Sequence, residues 1–188
     1  MNKGVFEEHR KARITYDDHP DIADKIWMDK VNNIIYSHDP VRNSWLSSSR
    51  NHVIFFKKGR ASGMCLPLSG TSLVESSLTT ATTLNDEESL ESLESIDKLF
   101  DIYMPGQKAT IMGLFCRSDR GNHAQRFELR KNGECLYSFS YDGQHLFYIN
   151  NSLNLELEPY DKVQLYVYKE KKPIKNTICR LETAWRYA

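Results

Sequence analysis

The chain of 188 residues is 40% apolar and 27% charged, with 25 basic side chains balanced by 25 acidic ones. That length can bury a core large enough to fold without disulfides, and the charge balance offers no field to gather nucleic acid or an anionic bilayer. Ten Tyr, eight Phe and three Trp tilt the propensities toward sheet.

The first twenty residues are polar, and Asp17-Asp18-His19-Pro20-Asp21 closes them as a breaker; this is the pattern of an arm. The opening residues lack the apolar centre of a signal peptide, and no run is long enough to cross a bilayer. Synthesis in a cytosol is therefore expected, and membrane insertion is not. Lys25-Ile26-Trp27-Met28 and Asn33-Ile34-Ile35-Tyr36 then read as a β-ribbon. Two strands alone are marginal in water, so Trp27, Tyr36 and the following Trp45 are the expected docking face, toward the main body or a larger protein scaffold.

His52 to Lys57 and Met64 to Leu68 read as strands, with Pro67 marking an edge or an end. From Ser69 the composition shifts to Ser, Thr, Leu and Glu, which predicts a long acidic insertion over residues 69–100. Leu90, Leu93, Ile96 and Leu99 recur at three-residue spacing there, and a short amphipathic helix and a solvated linker are both compatible with it. The chain thus divides into an arm and ribbon, 1–50, and a β-domain, 51–188, that carries the insertion.

The remainder is strand after strand. Ala109 to Cys116 is apolar on both faces, whereas Phe127 and Leu129 alternate with Arg126, Glu128 and Arg130. Asn132-Gly133 predicts a type I′ hairpin turn into Cys135 to Phe139. Leu146 to Ile149, Leu153 to Leu157, Val163 to Tyr168 and Ile178 to Tyr187 follow, separated by Asn, Asp, Gly and Pro turns. Strands at this spacing, without helical periodicity, predict an all-β antiparallel sandwich or jelly roll.

Chemistry is scarce in the pattern. There is no Gly-x-Ser-x-Gly elbow and no phosphate loop, and Glu156 and Glu158 read as the wet face of a strand. His9, His19 and His38 lie near Asp17, Asp18, Asp21 and Asp39 but match no zinc or EF-hand spacing. Cys65, Cys116, Cys135 and Cys179 are dispersed, without a CxxC pair, and read as buried free thiols. No enzyme activity, metal or cofactor is expected. Tyr141, Tyr148 and Tyr160 at loop ends are the residues that would stack on a sugar if the protein bound glycans.

The order of the Met104-Pro105 turn, the Asn132-Gly133 hairpin, the Pro159-Tyr160-Asp161 turn and the closing strand resembles the jelly-roll heads of the C1q and tumour-necrosis-factor type. It also resembles small jelly-roll modules of phage tail, fibre and capsid-decoration proteins, through Ser44-Trp45-Leu46-Ser47 and Leu181-Glu182-Thr183-Ala184-Trp185-Arg186. The resemblance implies a homotrimer, with Tyr166, Tyr168, Trp185 and Tyr187 in the core or at the subunit contact. A non-enzymatic assembly protein, in a virion or a comparable external structure, is the expectation; a lectin-like or receptor-binding module is the alternative.

Overall fold

The computed structural model describes residues 14–15, 26–61, 63–66, 68–74, 102–119, 125–141, 147–168 and 174–187. Every regular element among them is a strand: β1 (Ile14–Thr15), β2 (Ile26–Asp29), β3 (Ile34–Asp39), β4 (Ser44–Ala61), β5 (Met64–Cys65), β6 (Leu68–Val74) and β7 (Ala109–Arg117) in the first part of the chain. The second part holds β8 (Gln125–Lys131), β9 (Glu134–Tyr141), β10 (Phe147–Asn150), β11 (Leu155–Leu157), β12 (Val163–Val167) and β13 (Ile174–Arg186). The segment with Leu90, Leu93, Ile96 and Leu99, compatible with a helix or a linker, lies outside the described residues.

Two sheets form a β-sandwich. The larger runs β1-β2-β3-β4-β13-β7-β10, with β6 also on β4 and β11 also on β7; the smaller runs β5-β12-β8-β9. All pairings are antiparallel except that of β1 with β2. Directly opposed residues share a face, so Phe55, Cys179 and Cys116 form one inward row and Val53, Leu181 and Leu114 the next. All six are buried. They meet Phe127, Leu129, Leu165 and Val167 of the smaller sheet in one core.

The turns explain the register. Asn132 and Gly133 have φ of 53° and 88°, the left-handed pair that a two-residue hairpin needs to match strand twist. The ribbon uses one turn design twice, Asp29 to Asn33 and Asp39 to Asn43. In each, the Asp Oδ1 accepts the backbone N–H groups two and three residues on, from Val31 and Asn32 in the first and Val41 and Arg42 in the second. The fifth residue, Asn33 or Asn43, takes a positive φ, which Asn tolerates better than most side chains. Val31 and Val41 stand exposed at the two tips.

Three features depart from the sequence reading. The strand read at His52 to Lys57 begins earlier, at Ser44-Trp45-Leu46-Ser47, and is part of β4, 18 residues long. The first part of the predicted insertion, from Ser69, is strand β6 on the edge of β4. Of the four cysteines, Cys116 and Cys179 are buried as expected, but Cys65 is half-buried and Cys135 exposed on edge strand β9; an edge strand has one face and one side with nothing packed on them.

The ribbon is held by a second, smaller core of Trp27, Tyr36 and Trp45, with Trp185 and Tyr187 packed against it. The Tyr187 ring lies 4.6 Å from Trp27 and 5.9 Å from Tyr36, edge-on to both, and Tyr187 N–H donates to Trp45 O at 3.0 Å. Burial pushes the Tyr36 hydroxyl up to about 12. Truncating a buried aromatic costs about 3–5 kcal/mol. Trp27→Ala is therefore expected to lower stability by about 3 kcal/mol in urea denaturation. Hydrogen exchange should accelerate in residues 26–47, with β12 and β8 retaining their protection.

Candidate functional site

The residues singled out from sequence fall into three environments. Trp27, Tyr36 and Trp45 face inward and dock the ribbon on the chain's own C-terminal end. Trp185 is half-buried and touches both cores. Its N–H, at a bulge in the ladder between β13 and β4, donates to the buried Ser47 Oγ at 2.9 Å. Tyr187 is consumed by the ribbon contact.

Tyr166 and Tyr168 lie on the outer face of the smaller sheet, not in its core. There the Arg130 guanidinium sits 4.1 Å over the Tyr166 ring and that of Arg126 sits 4.7 Å over Tyr168. Between them Glu128 accepts from Tyr168 Oη at 2.5 Å, from Arg126 Nη2 at 3.1 Å and from Arg130 Nε at 3.1 Å. The carboxylate is thus covered although it points away from the core, with a side-chain exposure of 7%. The Tyr168 hydroxyl first, and then the two guanidinium groups, hold its pKa below the usual carboxylate value in spite of desolvation.

The three loop-end tyrosines separate. Tyr141 is a core residue with 1% exposure, its Oη 3.1 Å from Cys116 Sγ and 3.3 Å from Ser118 Oγ; a ring inside the core has no face left for a sugar. Tyr148 closes the open side of the sandwich between β9 and β10, stacked on Phe139 at 4.8 Å with its hydroxyl 2.5 Å from that of Tyr137. Tyr160 alone is open, 73% exposed at φ 67°. Its turn is fixed by Tyr160 N–H donating to Pro105 O at 2.8 Å and by the Asn132 side-chain amide and the Glu158 backbone N–H donating to the Asp161 carboxylate.

Two groups of residues went unread in the sequence. Phe147 and Ile149 alternate with Tyr148 and Asn150 on β10, and they stand 51% and 53% exposed on the outer face of the larger sheet. Ile149 opposes Phe115, which opposes Arg180, which opposes Ile54, so this edge continues onto a partly apolar outer face. Period two on an edge strand with apolar residues on both sides was the available signal. The second group, Lys58, Gly59, Arg60, Asp119, Lys175 and Asn176, lines a cleft where β4 meets β13. Only the run Lys57-Lys58-Gly59-Arg60 hinted at it.

Among the described residues, no three His, Cys, Asp or Glu side chains converge as metal ligands would. No protein-family model matches the chain, and no curated protein matches it either.

The Glu128 cluster makes a pH prediction with a definite sign. A carboxyl whose folded pKa lies below its unfolded one contributes stability above the unfolded value, near 4.5, and loses it as pH falls through the folded value. Glu128→Gln should therefore destabilise the fold by about 1–3 kcal/mol at neutral pH. Thermal unfolding from pH 7 to pH 3 should show that difference shrinking below about pH 4.5.

Proposed function

We propose that this chain is a non-enzymatic assembly protein whose β-sandwich is a jelly roll that associates into homotrimers. The jelly-roll reading is supported by the strand order. With β4, β13, β7 and β10/β11 in one sheet and β5, β12, β8 and β9 in the other, the chain alternates between layers as paired Greek keys require. Subunit association is carried by one observation, the exposed apolar edge of β10. Phe147 and Ile149 lie on an edge strand with Phe115 beside them, and edge strands are normally guarded by charge, Pro or bulges because their open backbone recruits other chains.

An edge that packs on a different surface of the next subunit is a heterologous contact, which closes into a ring where the rotation between subunits divides a full turn. The jelly-roll heads that the sequence resembles close as threefold rings, which supports three copies rather than two. Tyr166 and Tyr168 are not assigned to the contact, because the Arg130 and Arg126 guanidinium groups cover their rings and Glu128 takes the Tyr168 hydroxyl.

Sedimentation velocity at micromolar concentration is expected to give a particle of three times the 21.9 kDa chain mass. Phe147→Glu with Ile149→Glu should reduce it to one chain with an unchanged β-sheet circular dichroism spectrum. A wild-type monomer would sink the proposal.

A further inference from the structure

A cleft of about 560 Å³ opens where the distal end of β4 meets the start of β13, lined by Lys58, Gly59, Arg60, Asp119, Lys175 and Asn176. It exists because both strands break register there. The ladder passes from Lys175 opposite Arg60 directly to Thr177 opposite Lys57, so Lys58, Gly59 and Asn176 are extra residues that bulge outward. Gly59 has φ 76° and Asn176 φ 50°. The bulges are tied to each other and to the end of β7: Gly59 N–H donates to Asn176 Oδ1 at 2.9 Å, Asn176 Nδ2 donates to Asp119 Oδ2 at 2.8 Å, and Asp119 N–H donates to Lys175 O at 3.0 Å. Gly59, Asn176 and Asp119 are therefore held in place by backbone and side-chain amide bonds.

Among the described residues, three cations and one carboxylate line this cleft, in a protein whose formal net charge is zero. Lys58 and Arg60 are exposed and Lys175 is half-buried. A volume within the roughly 300–1,000 Å³ of small-ligand sites and a local excess of positive charge select an oxyanion, which Arg binds with a forked pair of donors and Lys as a point charge. Asp119 argues against a bare polyanion. Its carboxylate would repel an ion with anionic oxygens on every side, but it can accept hydrogen bonds from neutral hydroxyls set beside an anionic group. A ligand that carries both groups at short range is a sugar bearing a sulfate ester or a carboxylate.

We infer that the β4–β13 cleft binds an acidic saccharide, with Arg60 and Lys175 receiving its sulfate or carboxylate and Asp119 accepting its hydroxyls. No residue that lines the cleft belongs to β10.

Isothermal titration of the full chain at about 50 mM salt, where ionic contacts are least screened, tests this with five probes. They are a heparin-derived hexasaccharide, a hexasaccharide with carboxylates only, a neutral hexasaccharide, tripolyphosphate and a duplex DNA oligonucleotide. Binding of either acidic sugar above the neutral one is expected, and the better of the two identifies the anionic group. Arg60→Gln with Lys175→Gln should weaken that binding on the order of tenfold, the effect of about 1.4 kcal/mol. Lys30→Gln with Lys162→Gln, an equal charge change at exposed sites elsewhere, should leave it unaltered. Asp119→Asn should weaken the sugar while strengthening tripolyphosphate. The inference is overturned if no acidic sugar binds, if the two double variants behave alike, or if tripolyphosphate or DNA binds as tightly as the sugar.

Discussion

The position of β13 is the constraint on which the larger sheet depends. It pairs with β4 from Ile174 opposite Ala61 to Arg186 opposite Leu46, and with β7 from Ile178 opposite Arg117 to Trp185 opposite Ala109. The last strand of the chain is therefore the joint between the ribbon side of the sheet and the side bearing β10 and β11. Cys179, Leu181, Thr183 and Ala184 are all fully buried along it. Pairings of such large sequence separation form late, because loop closure must precede any reward from the contacts. Where the ladder to β4 skips at Trp185, the Ser47 hydroxyl takes the strand's N–H. The joint keeps its backbone satisfied through the irregularity.

Much of the smaller sheet was legible because each of its signals is local. Val163, Leu165 and Val167 alternate and are buried, and Asn132-Gly133 supplies its own turn geometry. The beginning of β4 was not legible. Ser47-Ser48-Ser49-Arg50 has the composition of a loop, and it is carried in a strand by the pairings at its ends, Leu46 and Arg50 with β13, Ser47 with β3 and Arg50 with β6. Strand propensity is a weak prior that pairing overrides, and the Leu68 to Val74 segment, rich in Ser, Gly and Thr, was lost the same way. Tyr141 is a different case. It shares parity with Tyr137 and Phe139 on β9, both of which face inward, so period two placed it in the core; the adjacent Asp142-Gly143 suggested a loop end instead.

The candidate surfaces were less legible than the fold, since each joins residues far apart in sequence. The cleft brings Lys58 and Arg60 to Asp119, Lys175 and Asn176, and nothing in either run specifies the other. The Glu128 cluster joins β8 to β12, and the tyrosines in it were read as core or contact because an aromatic on a strand gives no hint of the guanidinium that will cover it. Side-chain parity assigns a face; it does not assign what packs there.

The covering of that face helps locate where the molecule retains binding capacity. On the outer side of the smaller sheet, Glu128 takes donors from Tyr168, Arg126 and Arg130, and both guanidinium planes rest on tyrosine rings. A partner there would have to displace charge-assisted bonds for others no better. The adjoining edge strand β9 carries Glu134, Ser138 and Ser140 exposed, polar residues of the kind that discourage pairing at an open edge. Strand β10, on the same side of the sandwich, carries Phe147 and Ile149 instead. Two neighbouring edges of one fold thus follow opposite rules, one wet and one apolar. General stickiness of the sandwich would not produce that contrast, whereas a contact engaging β10 specifically would.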